Sequence, residues 1–288
     1  MEYAIHLAIL FGIYAILGLS LNLVVGFAGL LSVTQAAFYG IGAYATAILM
    51  TQYGFNFFVA LLVGVFLSGV LSLLVGLVLS KFKGDYYALA SIGFNVIVFS
   101  IFLNWQSLTR GPLGIPGIPR PELFGITLGA NSQFLIPNSA LLVLVYYLCR
   151  FVAASSFGRA LKAIREDEEA IKIFGYNTPH FKLLIFVIGA MIAAVAGSLF
   201  AAYITFIDPS TFTINESIFI LAIIILGGLA SLRGSIIGAL CMILLPEALR
   251  FVGFPSDIAA QMRQFVYGVI LILLMLHRPQ GLIGEYRL

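Results

Sequence analysis

Long apolar stretches separated by short polar breaks recur along the whole chain, and they constrain its fold more than any other feature. They lie at about 4–25, 33–51, 58–80, 86–104, 137–153, 183–205, 216–230, 235–252 and 263–278, and most approach the ~20 residues that a helix needs to cross a bilayer. In hydrocarbon every backbone donor and acceptor must be paired within the protein, which leaves helices and closed barrels as spanning structures. The runs are unbroken and lack the period-two alternation of barrel strands. Charged residues are 9% of the chain and hydrophobic ones 61%, against roughly 25% charged in an average soluble domain. The expected fold is all-α, a polytopic transmembrane helical bundle of about eight to ten spans. It forms a single domain over 1–288, with a first half to about 153, a loop at about 155–182 and a second half from about 183.

The breaks carry information of their own. "GFAGLLSVTQ" (26–35) sets Gly, Ser, Thr and Gln at membrane depth, the pattern of a broken or re-entrant element, and makes the second span the least secure. "GLASL" (228–232) faintly echoes "GLLSV" (29–33), too short a match to establish a repeat. Residues 105–136 are rich in Pro and Gly, which points to an irregular cap or a short re-entrant segment rather than another span. Small residues recur every fourth position at Gly64, Ser68, Ser72, Gly76 and Ser80, and again at Gly189, Ala193, Gly197 and Ala201. Such stripes let helix backbones approach closely in lipid. Internal packing is the preferred reading and a subunit interface the alternative.

Lys and Arg set the orientation. With 155–182 inside, Lys81, Lys83, Arg150, Arg159, Lys162, Arg165, Lys172, Lys182, Arg233, Arg278 and Arg287 face the cytoplasm, and Arg110, Arg120, Arg250 and Arg263 lie outside. The net charge of +3 is explained by this bias and is no nucleic-acid footprint. The N-terminus, with Glu2 and no basic residue, then lies outside if the span count is odd. "MEYAIHLAIL" lacks the basic start of a cleaved signal and reads as a retained first helix. Cys149 and Cys241 lie in apolar runs as small hydrophobes, and His6, His180 and His277 make no metal-ligand spacing.

Of the 27 charged residues, nine fall within the 28 positions of "SSFGRALKAIREDEEAIKIFGYNTPHFK" (155–182). Ser155 or Ser156 can cap a helix over 157–165, and Asp167 a second over 168–174. Gly175 suits the left-handed position that ends such a helix, and Thr178–Pro179 starts the next span. Leu161 and Ile164 share one apolar face, Ile171 and Phe174 another. A topology-setting connector needs only a few lysines, so two capped amphipathic helices point instead to a docking element for a soluble partner.

From Ser156 to Lys182 the sequence resembles the cytoplasmic coupling loop of branched-chain amino-acid ABC-transporter permeases, the LivH/LivM family, and its LivM-type subunits in particular. "GFAGLLSVTQAAFYGIGAYATAIL" (26–49), "GDYYALASIGFNVIV" (84–98), "LTRGPLGIPGIP" (108–119), "LGGLASLRGSIIGA" (226–239) and "HRPQGLIG" (277–284) resemble that family's successive blocks, in order. The resemblance implies a multi-pass subunit of a prokaryotic inner membrane. It implies pairing with a second, LivH-like permease, two cytoplasmic ATPase subunits and an extracytoplasmic solute-binding protein, with lipid around the spans. Gly158, Arg159, Ala160, Arg165, Glu166, Asp167 and Gly175 match the coupling motif, which in the family docks into the ATPase. Leu31, Thr34 and Arg110 depart from the pattern: small residues are usual at the first two positions and Gly at the third.

No G-x-x-x-x-G-K-[ST] phosphate loop occurs, so ATP and Mg are expected only on partner subunits and no cofactor on this chain. No H-E-x-x-H, G-x-S-x-G or carboxylate pair within a span suggests an enzyme. Polar groups at membrane depth are functional suspects; Asn22, Thr34, Gln35, Asn95, Asn104, Glu216 and Glu247 qualify. Glu247 reads as a local ion pair with Arg250. Thr34, Gln35, Tyr39 and Asn95 are the pathway candidates, because uncharged groups can touch a zwitterion without trapping it; bonding between helices is an equal reading. The expected function is passage of branched-chain or related amino acids through an ATP-driven importer. Urea or short amides as cargo, and a self-sufficient secondary transporter, stand as alternatives.

Overall fold

A computed structural model describes residues 2–123, 126–127, 129–250, 268–269 and 280–283. Helix α1 (Glu2–Leu21) runs without interruption into a π-helical turn at Asn22–Phe27. After an irregular stretch at 28–34 come α2 (Gln35–Gln52), α3 (Phe57–Leu79) and α4 (Asp85–Asn104). A single-turn α5 (Gln106–Thr109), a 3-10 turn at Gly111–Leu113 and strands β1 (Ile115–Pro116), β2 (Glu122–Leu123) and β3 (Ile126–Thr127) form the expected irregular cap. Helix α6 (Asn131–Ala154) leads into the charged loop, built as α7 (Ser156–Glu166) and α8 (Glu168–Ile173). Then follow α9 (Thr178–Ile204), β4 (Phe206–Ile207), a 3-10 turn at Pro209–Phe212, α10 (Ile214–Gly227) and α11 (Leu232–Arg250).

Five of these helices are long and apolar enough to cross a bilayer alone: Glu2–Phe27, Phe57–Leu79, Asp85–Asn104, Asn131–Ala154 and Thr178–Ile204. The expected spans at 216–230 and 235–252 are instead two arms, α10 and α11, bent by 119° at a short break, which together make up a sixth candidate. The expected span at 33–51 is the 18-residue helix α2, which carries Gln, Tyr and Thr side chains and is not among these five. The expected span at 263–278 lies outside the described residues.

Two ends of the bundle can be told apart by contacts. Arg165 donates to the carbonyl of Gly26, which puts the end of α1 at the loop end. Lys83, between α3 and α4, lies 3.6 Å from Glu169 in the loop. At the far end His6 meets the Tyr203 hydroxyl at 2.5 Å, and β1 pairs with β4 in the register Ile115↔Ile207. The first residues of α1 therefore sit at the end of the bundle opposite the charged loop.

Helix α9 belongs to the second half of the chain, yet it packs against α1, α2 and α3 of the first. Both small-residue stripes are used here, inside the subunit. A Cβ on Gly197 would collide with the Tyr39 carbonyl of α2, and one on Gly76 would meet Leu183 and Phe186 of α9. Ser68 donates to the Ala190 carbonyl at 2.9 Å, and Thr46 to the Ser198 hydroxyl at 2.8 Å. By contrast α3, α4 and α6 bury only one face. Leu62, Phe66, Leu74, Leu89, Ile97 and Phe151 are exposed around that ring, where lipid tails replace the core as their solvent.

Candidate coupling hairpin and polar break

The charged loop folds as a capped helical hairpin. Ser155 Oγ accepts from the Gly158 amide at 3.2 Å, and an Asp167 carboxylate oxygen accepts from the Ala170 amide at 3.0 Å. Each thereby satisfies one of the amides that a helix start leaves unpaired. Gly175 adopts φ 84°, open to glycine at little cost. Gly158 is required for a different reason: a Cβ there would strike the Val152 and Ala153 carbonyls, where α7 turns sharply away from α6. The next helix is capped one residue earlier than expected, since Asn177 accepts from the His180 amide at 3.4 Å. This frees the Thr178 hydroxyl to donate to Glu168 Oε1 at 2.9 Å.

Leu161 and Ile164 are fully buried and anchor α7 to the bundle, at about 1.5–3 kcal/mol each. Ala160 is half-buried beside them. The second expected face is not formed. Ile171 is half-buried, but Phe174 is 77% and Ile173 86% exposed, and Tyr176 is 48% exposed beside them. Helix α8 has six residues, so it has too few turns to hide a side chain at each end of its apolar run. Ile173, Phe174 and Tyr176 therefore form an apolar tip, of which periodicity singled out only Phe174; the run of apolar residues in "IKIFGY" within a charged loop was the available signal.

The charged members take different positions. Arg159 donates to the Ala154 carbonyl at 3.0 Å and to Ser156 Oγ at 2.9 Å, completing the end of α6. Glu166 is exposed and makes no hydrogen bond or ion pair among the described residues. Arg165 reaches into the bundle, where its stem packs against Gly29 (φ 68°) and its guanidinium bonds the Gly26 carbonyl. Lys162 lies 5.3 Å from the Phe27 ring, within cation–π range. Glu168 accepts from Lys182 and Thr178 and pairs with Lys172 at 3.3 Å. Burial pushes its carboxyl up, but the hydrogen bonds from Lys182, Thr178 and Lys172 and the charge of Lys182 outweigh this and hold it at about 2. A cleft of about 330 Å³ remains between hairpin and bundle, edged by Gly29, Leu31, Lys83, Asp85, Glu168 and Lys182.

The pathway candidates converge on the break between α1 and α2. Asn95 donates to the Val33 carbonyl at 2.9 Å and to Ser217 Oγ at 2.7 Å. Ser217 accepts in turn from the Ala36 amide at 2.9 Å, and Ser91 from the Val33 amide at 3.0 Å. Thr34 pairs with Ser32 at 2.9 Å, and Gln35 donates to Ser20, which donates to the Gly189 carbonyl at 2.7 Å. Non-helical backbone at membrane depth has to find such partners. Thr34, Gln35, Tyr39 and Asn95 are all buried; Gln35 and Asn95 bond to other elements, and Thr34 bonds within the break itself. The hydroxyls of Tyr39 and Tyr44 and the Asn95 carbonyl oxygen are buried without a hydrogen bond among the described residues. The second break is treated alike: Asn22 accepts from the Ala230 amide at 2.9 Å and donates to the Ser231 carbonyl at 2.9 Å and Ser235 Oγ at 2.6 Å. At the far end Glu247 accepts from Tyr3; its expected partner Arg250 lies outside the side chains described.

Residues 3–275 match the family model described as "Branched-chain amino acid transport system / permease component". The chain belongs to this permease family. It is 35% identical, over 98% of its own length and 70% of the relative's, to the high-affinity branched-chain amino acid transport system permease protein LivM of Escherichia coli. A probable LivM of Methanocaldococcus jannaschii is 26% identical over 96% of this chain and 91% of that one. The LivH permease of Salmonella typhimurium is 27% identical over 94% and 91%. No solved structure matches the permease. Family membership and the apolar helices make it a multi-pass membrane protein.

Proposed function

We propose that this permease is the LivM-type transmembrane subunit of an ATP-driven importer of branched-chain or related apolar amino acids. It would sit in a prokaryotic inner membrane with the hairpin in the cytoplasm. A second, LivH-like permease would complete the translocation path, and an extracytoplasmic binding protein would deliver the solute. Two ATPase subunits would hold ATP and Mg and supply the work.

The observation that carries this reading is the hairpin's division of surfaces. Leu161, Ile164 and Arg165 fix α7 to the bundle, whereas Ile173, Phe174 and Tyr176 project from the loop end. Exposed aromatic side chains beside charges are the composition of a protein–protein contact. Force applied at the tip has a rigid route inward, because Arg165 is bonded to the π-helical turn that precedes the α1–α2 break.

The test is a mild-detergent pull-down of the tagged chain from native membranes, with mass identification of what accompanies it. An ATPase subunit and a second permease are expected. A chain that purifies alone, even after crosslinking in the membrane, overturns the reading.

A further inference from the structure

One acid of the membrane-embedded helices lies at a cavity. Glu216, in the first turn of α10, accepts from the Tyr14 hydroxyl at 2.7 Å. Tyr14 is twelve residues beyond Glu2, the first residue of α1, or about 18 Å along the helix axis, near the middle of a ~30 Å hydrocarbon core. The buried Tyr39, whose hydroxyl makes no hydrogen bond among the described residues, lies within electrostatic reach of the same pair. Beside Glu216 is a cavity of about 500 Å³, within the ~300–1,000 Å³ range of small-molecule sites. Its lining includes the polar Thr213, Asn215 and Glu216 and the apolar Ile218, Phe219 and Met242. The Phe219 ring stands edge-on to Tyr14 at 5.3 Å.

Asn215 is exposed and Glu216 half-buried on this face. Polar and ionisable groups at such depth face a bundle interior or a water-filled cavity rather than lipid, because hydrocarbon gives them nothing to bond. The wall composition defines what the cavity suits. A carboxylate can take an ammonium, a hydroxyl and an amide can bond a carboxylate, and Ile, Phe and Met can cover an aliphatic side chain.

We propose that the α10 cavity is a solute-contact site of the translocation path, with Glu216 receiving the ammonium group of a zwitterionic apolar amino acid. This rests on the importer reading and assigns the residues that reading leaves open. Tyr14 is a positioning residue: it holds one carboxylate oxygen and turns the group toward the cavity.

The test uses the complete assembly reconstituted in proteoliposomes with its binding protein and labelled leucine. ATP-dependent uptake by the unaltered assembly is the reference, and its absence overturns the importer reading, not the site. Given that reference, Glu216→Gln is expected to lower uptake about tenfold or more, the effect of losing a charge-assisted hydrogen bond, with affinity for the binding protein unchanged. Uptake within twofold of the reference overturns the site. Two further variants hold if Glu216→Gln fails to assemble. Ile218→Trp, at a half-exposed position, is expected to block the cavity and leave melting unchanged; unimpaired uptake counts against the site. Asn215→Cys, with Cys241→Ser, is expected to react with a charged thiol reagent and to be protected by leucine during turnover. Failure to react means that this face meets lipid, which also overturns the proposal. Uptake driven by a proton gradient without ATP, and abolished by Glu216→Gln, would assign the acid to ion coupling instead.

Discussion

Arg110 adopts a left-handed conformation, φ 59° and ψ 11°, at the turn between α5 and the 3-10 segment. That backbone explains why glycine suits the position: a side chain there costs about 1–2 kcal/mol, offset in part by the ~0.5–1 kcal/mol that glycine loses in freedom on folding. Arg110→Gly is therefore expected to stabilise the permease by about 0.5–1 kcal/mol, read as a higher melting temperature in detergent. Glu168 gives a pH dependence of known sign. Its carboxyl is lowered from the usual 4.5 to about 2 in the folded protein, so its contribution is complete above the unfolded value and is lost as pH falls through the folded one. Hydrogen exchange over 167–182, corrected for intrinsic rates, should show protection of the hairpin falling between about pH 4.5 and 2. Glu168→Gln should already lack that protection at pH 7.

Among the helices, the decisive contacts are backbone to backbone. Helix α9 lies against α2 so closely that Gly197 has no room for a Cβ beside the Tyr39 carbonyl. Gly197→Leu is expected to destabilise by at least the ~1–3 kcal/mol typical of overpacking, because the obstruction is main chain and cannot rotate away; unchanged yield and melting would show that the stripe is incidental. The broken elements depend on single amides. Asn22 serves the backbone around 228–231 with both ends of its side chain. Asn22→Leu leaves those groups unpaired in hydrocarbon, at about 1–3 kcal/mol for each buried group. The expected result is a lower melting temperature with the hairpin still folded, visible as loss of exchange protection confined to α10 and α11.

At the scale of the whole molecule, the proposed importer gives the hairpin the task of relaying a signal to the polar break, through the Arg165–Gly26 contact. Arg159→Glu mixes effects, since Arg159 also completes the end of α6. Phe174→Ala and Glu166→Lys are cleaner, because both side chains are exposed and neither makes a hydrogen bond or ion pair among the described residues. Both variants are expected to insert and melt like the parent while losing ATPase co-purification and coupled uptake. Normal uptake by both would remove the docking role.

Much of this was readable in the order of residues. The apolar runs gave the long helices to within a few positions, because lipid permits so few backbone solutions. Ser155, Asp167 and Gly175 announced the hairpin, since caps and left-handed turns act within four residues of the chain. What the sequence alone determined was the helical class and the capped loop, set by the bilayer and by local chemistry. Only the tertiary structure decided that α10 and α11 bend back as arms, that Phe174 faces outward, and that Thr34, Gln35 and Asn95 are bonded into the break. The same holds for Tyr14 beside Glu216, 202 positions apart in the chain. Each depends on which distant backbone comes within bonding distance, and periodicity along one helix carries no record of that.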